Sequence, residues 1–252
     1  MTAPISTEVT DDGIAILTLN RAPVNALVPA FLEDIAATLD SLATDARVHA
    51  AVLTSGLGVL SAGFDLKAAQ AFTLADETDI VDHLNTDFAT MYAFPKPLIT
   101  AANGAAIAGG LFFVLTADYT VAVPQATFGL AEVRVGANFP VGPLEIARDA
   151  LSPEVQRRLM LGGHPVDATD ARTMGIVDEI AEPEALMGRA LAVAREYAKN
   201  PPLAYAAIKA QLRQPALAII HDAIDNGSDP TRAGWFTAET KAAMAAMISD
   251  LR

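Results

Sequence analysis

Two hydrophobic periods alternate along the first half of the chain. Ile14–Asn20 reads IAILTLN, apolar and small polar residues in turn, which is the period-two signature of a strand. RAPVNALV follows and, with its proline and asparagine, predicts a turn. From about Pro29 to Leu42 the period lengthens: Phe31, Leu32, Ile35, Leu39 and Leu42 fall on one face of a helix. HAAVLTS (His49–Ser55) predicts a short buried strand, and GLGVLSAGFDLK a glycine-punctuated loop leading into a helical stretch. A second long helix is predicted over about Ala75–Ala93.

The next segment, KPLITAANGAAIAGGLFFVLTAD, carries no charge between Lys96 and Asp118. A membrane span needs ~20 apolar residues, so the length suffices. The content does not fit: Pro97, Gly104, Gly109 and Gly110 interrupt it, and Asn103-Gly104 is a turn signal. It divides better into a buried strand (PLITAAN), a turn (GAAIAG) and a short buried helix (GLFFVLTA). YTVAV then predicts a strand. From about Val141 onward the pattern is helical, interrupted by a short strand at VDEIA and closed by a helix over about Thr237–Leu251.

Strands alternating with helices, then helices alone, predict an α/β core with a helical C-terminal part; the expected division is 1–195 and 196–252. Of the 252 residues, 52% are apolar and 19% charged, enough for a large core. There is no cysteine, which excludes thiolate nucleophiles and disulfides and suits a reducing compartment. The start, MTAPISTEVTDDG, has no basic segment followed by an apolar run, so the expected location is the cytoplasm. With 17 Lys and Arg against 30 Asp and Glu, binding to nucleic acid or to an anionic membrane is not expected.

One pattern occurs twice: buried strand, small-residue turn, helix, at AVLTS…SAGFDLK and again at LITAANGAAIAGGLFF. Free N–H groups at a helix start attract negative charge. Two such units face to face would hold one oxygen between two donors, an oxyanion hole. Close helix–sheet packing is the other reading of Gly63, Gly109 and Gly110. GAAIAGG is not a dinucleotide fingerprint, and no P-loop lysine motif occurs. GVLSAG is one residue too long for a nucleophile elbow, which weakens Ser61. His49, His83, His164 and His221 share no metal-ligand spacing, so no metal is expected. Glu132, in ATFGLAEVRVG, is a carboxylate among apolar residues, where a raised pKa suits a general base. An ordinary loop carboxylate is the alternative.

APVNAL, GVLSAGFDLK, NGAAIAGG and ATFGLAEVRVG stand in the order and spacing of the crotonase, or enoyl-CoA hydratase/isomerase, superfamily, which the chain resembles over about Ile5–Asn200. The resemblance implies a spiral of ββα units, a helical trimerisation region and acyl-coenzyme A thioesters as ligands. Coenzyme A would be part of the substrate, with no separate cofactor. The implied oxyanion donors are the N–H groups of Phe64 and Gly109. Backbone around Ala62, Asp65 and Leu66 would receive the adenine, and Arg21 and Lys67 would meet the phosphates. A trimer or dimer of trimers is expected.

One position departs from the hydratase pattern. Hydratases of the superfamily use two glutamates; the second matches Glu132, while the first falls on Phe112. A phenyl ring cannot activate water. The mitochondrial-type Δ3,Δ2-enoyl-CoA isomerases, which keep only the Glu132 counterpart, are the closer resemblance, with Phe112 facing the acyl pocket. Two other readings stay open: a hydratase, hydrolase or lyase that recruits another group, for which Asn138 and His83 are the candidates, or a non-catalytic acyl-CoA binder.

Overall fold

The computed structural model describes residues 3–250. The chain begins with strands β1 (Ile5–Val9) and β2 (Ile14–Leu19), helix α1 (Pro29–Thr44), strand β3 (Ala50–Ser55) and helices α2 (Leu66–Ala69) and α3 (Leu74–Ala93). Next come β4 (Leu98–Ala102), β5 (Ala106–Ile107), α4 (Phe112–Leu115), β6 (Tyr119–Ala122) and β7 (Thr127–Gly129). Then follow α5 (Val141–Ala150), α6 (Pro153–Gln156), β8 (Val166–Asp167), α7 (Ala168–Thr173) and β9 (Glu179–Ile180). Helices α8 (Leu186–Tyr197), α9 (Pro202–Asn226) and α10 (Ala238–Asp250) complete the described chain. The predicted final helix is therefore found; its expected last residue, Leu251, lies outside the described residues.

One sheet has the order β1-β2-β3-β4-β6-β9 and a second the order β5-β7-β8. β1 is antiparallel to β2, and the remaining pairs of the larger sheet are parallel. β3 and β4 are buried at every position. A parallel strand covered on both faces needs a continuous apolar run, which AAVLTS and LITAA provide. The register pairs Leu19 with Ser55 and Leu53 with Thr100. The C-terminal ends of β2, β3 and β4 therefore lie side by side. The loops RAPVNAL, GLGVLSAG and NGAAIAGG leave the sheet together at that edge, where α/β sheets commonly bind ligands.

The uncharged stretch becomes interior structure: β4, β5, a 3-10 turn at Ala108–Leu111, and α4. Among the described residues no helix is long and apolar enough to cross a membrane. Three features differ from the sequence reading. The edge strand β1 and the smaller sheet were not expected, and VDEIA narrows to the two residues of β9. At two or three residues, the strands of the smaller sheet and β9 are too short to show a period.

Helix α9 is fastened to the sheet by a buried ionic cluster. Asp118, just before β6, accepts hydrogen bonds from Lys209 Nζ (2.6 Å), Arg213 Nη2 (2.8 Å) and the Leu98 N–H (2.8 Å). Arg213 also donates to the Tyr92 carbonyl (2.6 Å) and lies 4.2 Å over the Tyr92 ring. Burial depresses Lys209 to about 8. Removing the one carboxylate would leave two buried cations unmatched. Asp118→Ala is therefore expected to lose about 3–5 kcal/mol of stability, read as a shift of the urea midpoint at constant slope; a variant of unchanged midpoint would contradict this.

Candidate active site

The turns after β3 and β4 meet in a contact that side chains would prevent. Leu60 and Ser61 N–H donate to the Ala105 carbonyl (3.0 and 3.1 Å), and Ile107 N–H donates to the Ser61 carbonyl (3.1 Å). A Cβ on Gly63 would stand 2.6 Å from the Ile107 carbonyl, and one on Gly110 2.5 Å from the Ser61 carbonyl. Gly63 also has φ of +78°, the left-handed region that glycine enters without strain.

The loop after β2 locks this pair in place. Asn25 is fully buried at φ +49°. Its Oδ1 accepts from the Arg21 N–H (2.8 Å), and its Nδ2 donates to Ser55 Oγ (2.7 Å) and the Leu60 carbonyl (2.9 Å). Ser61 Oγ donates to the Asn25 carbonyl (2.8 Å) and accepts from the Gly63 N–H (3.1 Å). Ser61 is thus a buried bracket and does not line the cavity described below.

Gly109 is the second residue of its 3-10 turn, a position whose N–H has no acceptor within the helix. Ala108 before it has φ of +51°, an uncommon conformation for a residue with a side chain. Such outliers concentrate at functional sites. Among the described residues no protein acceptor takes the Phe64 N–H. The two turns are close: a Cβ on Gly63 would be 3.3 Å from the Gly109 nitrogen.

Both residues border a cavity that is partly open to solvent. Ala62, Leu66 and Phe112 line it as well, the Phe112 ring tilted against Phe88 at 5.1 Å. Arg21, Asp65 and Lys67 do not line it. The Arg21 guanidinium donates to the Ala26 carbonyl (2.8 Å), Asp65 caps α2, and Lys67 is exposed. The candidate second groups are also elsewhere. Neither His83, engaged with Asp87 (2.8 Å), nor Asn138, whose backbone carbonyl accepts from Trp235 Nε1 (2.8 Å), lines the cavity.

Glu132, first residue of the 3-10 turn Glu132–Val135, is the one titratable side chain lining the cavity among the described residues. The residue as a whole is half-buried, but its Oε2 is shut from solvent and has no hydrogen-bond partner. Burial pushes its carboxyl up to about 8, opposed only by a hydrogen bond from its own N–H.

The wall that sequence reasoning did not anticipate comes from the C-terminal segment: Trp235, Phe236, Met244 and Met247. The Trp235 and Phe236 rings stack on each other at 4.9 Å, and each lies 5.9 Å from the Phe64 ring. Two buried carboxylates dock this segment. Glu77 accepts the Phe236 N–H (3.1 Å), and Asp229 accepts from Asn85 and from the Val141 N–H (2.8 and 2.7 Å). The cluster of aromatic residues in GWF was the available signal, but its position against Phe64 depends on the tertiary fold.

Glu132 and the residues that carry the two free N–H groups, Phe64 and Gly109, thus line one cavity. Residues 9–225 match the Enoyl-CoA hydratase/isomerase family, and the chain belongs to it. The chain is 32% identical over 206 residues to the 2,3-dehydroadipyl-CoA hydratase of Escherichia coli (strain K12), covering 80% of this chain and 78% of that one. An enoyl-CoA isomerase from Mycobacterium tuberculosis aligns with a TM-score of 0.83 at 32% identity, over 94% of this chain and 100% of the other. Human mitochondrial Δ3,Δ2-enoyl-CoA isomerase has the same fold, with a TM-score of 0.90 over 99% of this chain and 98% of its own, at 24% identity. The fold is that of the crotonase superfamily.

The state of Glu132 is directly measurable. Its carboxyl should titrate near 8 in the folded protein, against a value near 4.5 when exposed. Between those values the native state holds a proton that the unfolded chain has lost, so stability should fall as pH rises through that window. Carboxyl-labelled glutamate followed by carbon NMR should show this titration, absent in Glu132→Gln; a Glu132 signal titrating below pH 5 would contradict it.

Proposed function

We propose that the protein is an enoyl-CoA isomerase that moves a 3-enoyl-CoA double bond to the 2,3 position. The observation that carries this reading is that Glu132 is the one titratable group lining the cavity among the described residues, with Phe112 where hydratases of the superfamily carry their other glutamate. The thioester oxygen accepts hydrogen bonds from the Phe64 and Gly109 N–H groups. Their pull strengthens as negative charge moves onto that oxygen, so they lower the barrier to a dienolate. Ionised Glu132 removes the α-proton, keeps it, and returns it to the γ-carbon. A carboxyl that titrates near 8 suits both steps, since it is basic enough to take the proton and acidic enough to release it near neutral pH. The apolar walls hold the acyl chain and keep water from the dienolate. Coenzyme A would lie outside, with backbone at Ala62, Asp65 and Leu66 around the adenine and Arg21 and Lys67 near the phosphates.

Hydration is the competing reading, and the curated relatives largely bear hydratase names. It needs a group to activate water as well as one to supply the α-proton. Turnover of trans-3-enoyl-CoA beside that of crotonyl-CoA separates the two. Isomerisation with slow hydration is expected. Loss of crotonyl-CoA absorbance at a comparable rate would overturn the isomerase reading, and binding without either turnover would make the protein a non-catalytic binder. Glu132→Gln should lower isomerase turnover ~10²–10⁴-fold, with little change in acyl-CoA affinity because the oxygen's partners are backbone groups.

Helix α9 also supports assembly as a trimer or a dimer of trimers. Ile208, Leu212 and Ile219 fall on one of its faces, and Leu212 is 69% exposed. An apolar stripe left in solvent is a common mark of a subunit interface. Light scattering should find a trimer or hexamer at micromolar concentration; a stable monomer would contradict this.

A further inference from the structure

Glu132 raises a positional problem. Among the described residues no other side chain hydrogen-bonds its carboxylate: one bond comes from its own N–H, and Oε2 has none. A base without partners is aimed only by its backbone and by packing. That backbone is a single 3-10 turn, ended by Gly136 in the left-handed region at φ +65°. The turn's own bonds are local: Gly136 N–H to the Val133 carbonyl (3.2 Å) and Ala137 N–H to the Glu132 carbonyl (3.0 Å). They shape the turn but do not fix it in the molecule.

One side chain from a distant part of the chain does. Thr240 is fully buried, and its Oγ1 donates to the Gly136 carbonyl at 2.7 Å across 104 residues of sequence. The approach is close, since a Cβ on Gly136 would lie 3.3 Å from Thr240 Cα. Met244 and Met247 follow Thr240 on the same face of α10, four and seven residues on, and both line the cavity with Glu132. This face of α10 is therefore a wall of the cavity and a brace for the turn that carries Glu132. We propose that Thr240 is a positioning residue: through the Gly136 carbonyl it holds the Glu132 turn where the carboxylate reaches the substrate. The inference rests on the reading of Glu132 as the base.

Thr240 also helps to start α10. The Thr237 N–H donates to Thr240 Oγ1, and the Thr240 N–H donates to Thr237 Oγ1, both at 3.2 Å. A role in capping alone would affect stability without touching the proton-transfer step, so the test must part the two. Thr240→Val keeps the shape and removes the hydroxyl. Thr240→Ser keeps the hydroxyl. Thr237→Val loosens the cap and leaves the Gly136 bond in place.

The measurements are kcat and KM with trans-3-enoyl-CoA, calorimetric affinity for acetoacetyl-CoA, and Tm. Misplacing a catalytic group by about 1 Å can cost ~10²-fold, so Thr240→Val should lose roughly 10- to 100-fold in kcat. KM and acetoacetyl-CoA affinity should stay within about 2-fold, because the donors Phe64 and Gly109 sit on other turns and only the proton-transfer step is affected. Thr240→Ser should restore kcat to within about 3-fold of the parent, the hydroxyl being the group removed in the valine variant. Thr237→Val should lower Tm with kcat retained. The proposal is overturned if Thr240→Val keeps its kcat, if Thr240→Ser loses as much as Thr240→Val, or if Thr237→Val loses as much kcat. If Thr240→Val does not fold, Thr240→Ala takes its place with the same opposing outcomes. Glu132→Gln, assayed alongside, separates the two failures. Near-normal turnover in that variant removes the base itself, whereas its loss beside an unimpaired Thr240→Val removes only the brace.

Discussion

Two stretches of main chain, at Ser61–Gly63 and Ile107–Gly110, lie closer together than any pair bearing side chains there could. The placement of both backbone donors depends on that approach. It brings the Phe64 and Gly109 nitrogens to the rim of one cavity, and backbone donors have the merit of rigidity: they need no reorganisation when charge develops near them. The approach is held from behind by Asn25 and Ser61, two buried polar residues whose hydrogen-bonding groups are turned on the surrounding loops. A larger residue at Gly63 or Gly110 would therefore act on the site from within the scaffold, by parting the two turns.

The surroundings of Glu132 work by deprivation. Apolar side chains surround Glu132, and an ionised carboxylate without partners is costly to bury. The protein meets this by holding the carboxyl neutral more of the time than water would, which is the direction of its shift. The same dry surroundings strengthen any hydrogen bond made by the two free N–H groups, since a charge inside a low-dielectric cavity is poorly screened. The proton on Glu132 and the pull of the donors are thus two consequences of one apolar enclosure.

The sequence made legible those parts whose physics is local. AAVLTS and LITAA read as buried strands because both faces of a parallel sheet are covered there. The paired turns were visible because close main-chain contact demands glycine, and Glu132 because a carboxylate among apolar residues is conspicuous. Three things were not legible. β5, β7 and β8 are too short to carry a period. The conformation of Arg21, which folds onto the Ala26 carbonyl, depends on a loop geometry that the residue types do not specify. The wall of Trp235, Phe236, Met244 and Met247 consists of apolar residues that any core could use; only the docking of Phe236 on Glu77 and of Asp229 on Asn85 and Val141 assigns them to the cavity.

That wall sets an order in time as well as in space. Synthesis runs from the N-terminus, and the turns at Ser61 and Gly109 leave the ribosome long before Trp235 does. A nascent chain can build its sheet and bring its glycine turns together while the cavity still lacks one side. Without that wall, Phe64, Phe88 and Phe112 would border an open apolar cleft. The segment from Trp235 to Met247 converts that cleft into an enclosure, so the apolar surface left open before it docks and the lining of the finished cavity are the same residues.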